Sequence, residues 1–434
     1  MKRSVFPAPQ AVLTASLLAL VLFAAGGTRL ARADGGAPNL VYVSGTKDGV
    51  TVVDIASQQV TGTIHVDGDP RGMVLSADSR FLYVALAGKN GVAVIDANAK
   101  QVIHTYPTGP GPTSLMLDLI DPGHLWVANS GGNTVTVLNP DTGKRVATIP
   151  VGLHPASINI AGPTSGIVET DGTSEVLVAN EDASSLSVIG SESFKVLATV
   201  PLPNGDNPIW VTVPAFGGTA YVATKQGRVY GFTLANHQFF GPLFTGHALH
   251  GMDYDAITGE VYAPDSQSNQ IDVLRPASSG QTPPGTLPSE PLRALAVSGG
   301  PAYVAITSDG SLGIVAQQSS GDITLLQVPP PQKVLGSIHV GGTPQFVLAG
   351  PFPPLVNRQS AQIILIVIYV VAGLFLVGGI AWLVWWMRKQ ERRIRELRRQ
   401  EDAEYERQLL AAQAAGEQDA TEPREKGASP RDTG

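Results

Sequence analysis

His247, His250, Asp253 and Asp255 bring two imidazoles and two carboxylates within nine residues. Such groups hold first-row divalent cations or relay protons when three or four of them converge. The two histidines stand three apart in a loop-like stretch. Asp253 and Asp255 share a face if the stretch is extended, because strand side chains alternate with period two. No further partner is evident to make them converge, and hydrogen bonding within a strand and its turn accounts for the same four residues. No metal or other cofactor is therefore assigned.

A second set comes from the positions that open seven similar apolar phrases. These are Arg71, Thr113, Ala156, Ile209, His250, Leu292 and Gln345, followed by Gly72, Ser114, Ser157, Trp210, Gly251, Arg293 and Phe346. Two arginines and a histidine suit an anionic ligand such as a carboxylate or phosphate, and Trp210 and Phe346 add apolar contact. The candidate ligand-binding residues are Arg71, Trp210, His247, His250, Arg293, Gln345 and Phe346. No catalytic residue is assigned. The chain has no cysteine, which removes disulfides, thiolate nucleophiles, Cys-ligated zinc, iron–sulfur clusters and covalent c-type haem. It also lacks a G-x-S-x-G elbow between a strand and a helix. The remaining histidines (His65, His104, His124, His154, His237 and His339) fall in different repeats, which leaves axial ligation of a noncovalent haem open. Asp54, Asp96, Asp141 and Asp182 stand at turns, where carboxylates bond nearby backbone amides, and none has EF-hand spacing.

The elements that would position these residues repeat along the chain. A short apolar phrase recurs at Tyr42, Tyr83, Trp126, Leu177, Tyr221, Tyr262 and Tyr303, at spacings of 41, 43, 51, 44, 41 and 41 residues. Each is followed by an alternating run, such as GVTVVDI from Gly49 or TVTVLNP from Thr134. A turn then leads to a third run, such as RVATIPV from Arg145, and a Gly-Pro punctuated loop leads to a fourth, such as GMVLS from Gly72 or FVLAG from Phe346. Period-two alternation predicts strands, and the 48 glycines and 33 prolines suit tight turns between them. Seven sets of four strands predict an all-β, seven-bladed β-propeller. The exported part starts on the second strand of a blade and ends on an innermost one. The first blade would therefore close 3+1, with three strands from the N-terminus and one from the C-terminus.

The segment LWVANSGGNTVTVLNPDTGKRVATIPVGLHPASINI, from Leu125 to Ile160, resembles the YVTN-type propeller repeat of bacterial and archaeal surface proteins. The resemblance covers about residues 38 to 350, is best in the first three units and is poorest from Pro276 to Pro291. It implies a propeller related to surface-layer components, lactonase-like enzymes and haem d1-binding proteins, without choosing among their activities. A binding or interaction module is the reading taken here; a lactonase-like hydrolase with a site in the central channel and a noncovalent haem-binding redox propeller are the alternatives.

Charge and hydropathy divide the chain further. Residues 1–33 carry four basic and no acidic residues, with an apolar stretch from Ala11 to Ala25 and small residues at Ala31 and Ala33, as in a signal peptide. Residues 34–361 carry 14 basic and 25 acidic residues, a poor surface for nucleic acid. Residues 363–387 contain no charge and are long enough for a transmembrane helix, with Trp382, Trp385 and Trp386 near its end. Seven cations within the twelve residues from Arg388 to Arg399 follow, which places that end in the cytoplasm. The expected organisation is a signal peptide (1–33), propeller (34–350), linker (351–362), one membrane span (363–387), a charged cytoplasmic helix (388–415) and a disordered tail (416–434). The predicted location is the cell membrane, single-pass, with the propeller outside. Its partners would be the membrane and an extracytoplasmic ligand or protein. Cleavage after Ala33 makes Asp34 the mature N-terminus; the intact mass of the membrane-extracted protein checks this, and retention of residues 1–33 would instead mark an uncleaved anchor.

Overall fold

The computed structural model describes residues 40–118, 123–161, 174–214, 218–276 and 291–350, together with parts of a helix between 382 and 407. The chain forms two compact units, 1–355 and 356–434. Among the described residues the first unit holds 28 strands in seven four-stranded antiparallel sheets, a seven-bladed propeller.

Its repeated apolar phrases are strands buried on both faces. In β1, Leu40–Thr46, the residues Leu40 and Tyr42 pack toward the second blade, whereas Val41 and Val43 pack toward the seventh. An alternating backbone with both faces covered needs an uninterrupted apolar run, which is why the phrase reads LVYV instead of apolar–polar. The same division recurs around the ring. Each of the seven apolar clusters is made by two neighbouring blades, and together they account for all seven contacts between blades. Trp126, Tyr42, Tyr83, Tyr221 and Tyr262 are among the largest fully buried side chains.

The ring closes as the phase of the repeats predicts. β28, Phe346–Ala349, pairs antiparallel with β1, which continues to β2, Gly49–Asp54, and β3, Gln59–His65. Val347 of β28 is wholly buried in the cluster between the seventh and first blades.

The last two blades correct the predicted phase. The sixth blade consists of β20, Asp253–Tyr254; β21, Val261–Asp265; β22, Gln270–Leu274; and β23, Arg293–Ala296, which pairs with β22 as the outermost strand. Arg293 therefore does not open an innermost strand. That place belongs to β24, Pro301–Ile306, followed by β25, Leu312–Gln317; β26, Asp322–Gln327; and β27, Lys333–His339. The proline-rich insertion after Pro276 delays the outer strand of the sixth blade until Arg293. Tyr303 keeps the usual spacing of 41 residues while standing one strand earlier in its blade.

In the second unit residues 385–396 are helical, with Glu391 and Arg395 paired at 3.2 Å one turn apart and Lys389 lying 5.0 Å over the Trp385 ring. No helix among the described residues is long and apolar enough to cross a membrane. Of the apolar run 363–387, only Trp382, Trp385, Trp386 and Met387 are described; the rest of it, the signal segment, the linker and residues 416–434 lie outside the described residues.

Val347→Asp places an unpaired charge in the closing cluster and is expected to remove several kcal/mol of stability. Val60→Asp, on the exposed outer strand β3, is expected to change it by no more than ~0.5 kcal/mol. Chemical denaturation of the two full-length variants checks the contrast.

Candidate binding site at the channel mouth

The innermost strands begin with the same local irregularity. β4, Pro70–Leu75; β8, Pro112–Asp118; β12, Pro155–Ala161; β16, Pro208–Thr212; and β24 each start on proline, and each slips register with its neighbour just after it. Proline suits a strand start because no amide donor is needed there, and a bulge after it re-aims the next side chain. The bulged residues are Arg71, Thr113, Ala156, Ile209 and Ala302. His250 holds the equivalent place in the sixth blade, between the isolated Leu249–Asp265 bridge and β20. Gln345 holds it in the first, just before Phe346, where its amide donates to Ser44 O at 3.1 Å. Ala302 thus replaces the predicted Leu292.

Arg71 and Gln345 meet: the Arg71 Nη1 donates to Gln345 Oε1 at 2.7 Å. The other edge of the guanidinium donates to Asp69 Oδ2, at 3.0 Å from Nε and 2.7 Å from Nη2. Beside this pair the loops of the first two blades enclose a polar pocket of about 330 Å³, lined by Lys47, His65, Asp67, Asp69, Thr343 and Gln345 among others. The volume lies at the lower end of the range for small-molecule sites.

One residue further along, the seven strands carry Gly72, Ser114, Ser157, Trp210, Gly251, Tyr303 and Phe346. Three aromatic rings converge here from the fifth, seventh and first blades. Tyr303 stacks on Phe346 at 4.3 Å, Trp210 meets Tyr303 edge-on at 5.1 Å, and Trp210 and Phe346 are 6.2 Å apart. These are favourable aromatic spacings. Trp210 Nε1 is fixed by donation to Met252 O at 2.8 Å. Gly251 pairs in parallel with Tyr303, and a Cβ at Gly251 would lie 2.2 Å from the Tyr303 ring, so this close approach requires glycine.

The smaller residues settle the exposed inner edge of each sheet. Ser114 Oγ accepts the amide of Ile158, and Ser157 Oγ that of Val211, both at 3.3 Å. Asp253 Oδ2 accepts the Ile306 amide at 2.8 Å. Side chains of one blade thus satisfy backbone donors of the next, where no ladder partner exists. Burial raises the Asp253 carboxyl to about 7, against the pull of the Ile306 and Tyr254 amides. Burial and the neighbouring Asp253 push the Tyr303 phenol well above its ordinary value.

Arg293 stands apart from this site. It pairs with Glu260 and donates from Nε to Gln332 Oε1 at 2.7 Å, linking the outer strand of the sixth blade to the seventh. Arg71 is thus the cation that the predicted arginine pair contributes to the mouth. The predicted His/Asp group also separates. His247 Nδ1 faces Ser268 Oγ at 2.9 Å and Asp265 Oδ2 at 3.2 Å, His250 Nε2 meets Ser266 Oγ at 2.9 Å, and Asp255 accepts Ile257 N and Thr258 Oγ1 within its own turn. Burial lowers His250, with Asp265 opposing. Asp54 and Asp96 accept turn amides as predicted. In the third blade Asn139 does so in place of Asp141, and Asp182 approaches His154 at 3.4 Å.

The sixth blade also buries two carboxylates that sequence reading passed over. In the third and fourth blades Asn129 donates to Thr136, and Asn180 to Ser187, both at 2.9 Å. The corresponding residues in the sixth are Asp265 and Asp272, both wholly buried. Burial would raise Asp265, but the His247, Ala248 and Ser268 amides and the Ser268 hydroxyl bring it down to about 2. Asp272 is raised to about 6 by burial and then by the Asp265 charge, and its Oδ2 has no hydrogen-bond partner. The repeat alignment held the signal, because a carboxylate replaces an amide at one position and a hydroxyl at the other.

None of the known protein families matches the chain by sequence pattern, and no curated protein matches it. Among solved structures, a chain of the hydrazine synthase of Kuenenia stuttgartiensis is similar at a TM-score of 0.57 and 19% identity, over 68% of this chain and 94% of that one. The similarity is one of fold.

A raised carboxyl pKa stabilises the fold below the unfolded value near 3.8, and that contribution is lost as pH rises through about 6. Asp272→Asn is therefore expected to be more stable than the parent at pH 7.5, by about 1–3 kcal/mol, with the gain vanishing near pH 4. Denaturant unfolding at the two pH values checks it.

Proposed function

We propose that this chain is a membrane-anchored, extracytoplasmic propeller of the YVTN-type repeat class that acts as a binding or interaction module through its channel mouth. The observation that carries this reading is the meeting, on one face, of four features: the Arg71 fork, its partner Gln345, the adjoining polar pocket and the Trp210–Tyr303–Phe346 cluster. A guanidinium beside an apolar aromatic surface suits a small organic anion: the carboxylate or phosphate meets Arg71 and the carbon skeleton meets the rings. His250 completes the rim as a hydrogen-bonding group.

Membrane attachment rests on the uncharged run 363–387 and the seven cations after it. In this arrangement the basic helix is cytoplasmic.

Because the chain has no cysteine, single introduced thiols test the topology without background. Lys47→Cys, in a mouth loop, is expected to react with a membrane-impermeant maleimide in intact cells, and Arg399→Cys only after lysis; the reverse pattern overturns the orientation. For binding, mass spectrometry of small molecules retained by the natively purified full-length protein is expected to find an organic anion whose occupancy falls at least ~10-fold in Arg71→Ala. Equal retention by parent and variant removes Arg71 from the site.

A further inference from the structure

We infer that His154, Glu181 and Asp182 form a divalent-cation site, best matched to Zn²⁺, on the mouth face where the third and fourth blades meet. His154 precedes Pro155 in the loop entering β12. Glu181 and Asp182 follow β13, Glu175–Asn180, and precede β14, Ser185–Gly190. One imidazole nitrogen and one oxygen from each carboxylate lie within 4.8 Å of one another.

The geometry differs from that of an ordinary histidine–carboxylate hydrogen bond. Of the other histidine–carboxylate contacts in the propeller, His339 Nδ1 lies 2.7 Å from Asp322 and His237 Nε2 2.8 Å from Glu175, whereas His247, His65 and His124 stand 3.2, 3.3 and 3.9 Å from a carboxylate oxygen. His154 Nδ1 stands 3.5 Å from Glu181 Oε2 and 3.4 Å from Asp182 Oδ2, is shielded from solvent and has no hydrogen-bond partner. Ligand atoms held about 2.1 Å from a tetrahedral ion are separated by about 3.4 Å, which matches the two nitrogen–oxygen separations here. The nitrogen that lacks a partner thus has two oxygens at the edges of a coordination tetrahedron.

The surroundings hold the donors in place. The His154 amide donates to Asn133 Oδ1 at 2.8 Å, and the Glu181 amide donates to His154 O at 3.0 Å. Lys225 Nζ binds Glu181 Oε1 at 3.0 Å, fixing the carboxylate through its other oxygen and leaving Oε2 for the ion. Two carboxylates, one ammonium and a neutral imidazole leave one negative charge to meet a dication. One nitrogen and two oxygen donors suit zinc, with a fourth position open to water.

The test titrates metal-free full-length protein with Co²⁺, read by its visible absorption, and then displaces it with Zn²⁺. One equivalent is expected to bind with the spectrum of a four-coordinate ion. His154→Gly, which accepts the left-handed backbone at this position (φ 53°), and Asp182→Asn, altering an exposed side chain, are each expected to weaken Zn²⁺ by at least the roughly 10- to 100-fold that loss of a supporting group costs. His104→Ala, on an exposed outer strand of the second blade, is expected to leave binding unchanged. Circular dichroism confirms that each variant is folded. Absence of a one-equivalent site, or binding undiminished in both site variants and so an adventitious ion only, overturns the proposal.

Discussion

No blade of this propeller can bury its own apolar surface. Each sheet has two apolar faces, and each of the seven clusters is shared by two adjacent blades. Stability is therefore a property of contacts between repeats, and an open array would leave two faces in water. Strand β28 solves this by bringing the C-terminal end of the unit into the first blade. Hydrogen bonds to β1 and burial of Val347 turn a row of sheets into a circle.

The same closure creates the site. Once the sheets are radial, seven innermost strands surround one axis with no further strand to pair with. Ser114, Ser157 and Asp253 cross to the neighbouring blade to satisfy its amides. Where the side chain is aromatic instead, the rings meet across the channel, with Gly251 making room for Tyr303. The proline-led bulges above this layer turn the next residues toward the rim, which brings Arg71 and Gln345 together across 274 positions of sequence.

The sixth blade departs most from its neighbours. Its inner strand has two residues, its outer strand follows a proline-rich insertion, and a carboxylate pair replaces the amide–hydroxyl pairs of the third and fourth blades. Asp265 is held ionised by a shell of donors, whereas burial beside that charge raises Asp272 to about 6. Two groups of one chemical type thus titrate in different pH ranges within one blade, because more donors surround Asp265 than Asp272.

The sequence by itself determined the fold class, the number of blades and the closing strand, because these follow from local alternation and from the phase at which the repeats start and stop. Arg71, Trp210, Gln345 and Phe346 were legible as mouth residues for the same reason. The phase of the last blade was not. Tyr303 carries the repeat's phrase at the usual spacing, and only pairing across the sheet distinguishes a second strand from a first; Pro301, aligned with Pro70, Pro112, Pro155, Pro208 and Pro344, was the overlooked local sign. Tertiary structure alone moved Arg293 to the outer edge, separated His247, His250, Asp253 and Asp255 into unrelated contacts, and set His154 against Glu181 and Asp182. Alternation fixes which face of a strand a residue occupies, but which side chains meet depends on how sheets distant in sequence pack around the ring.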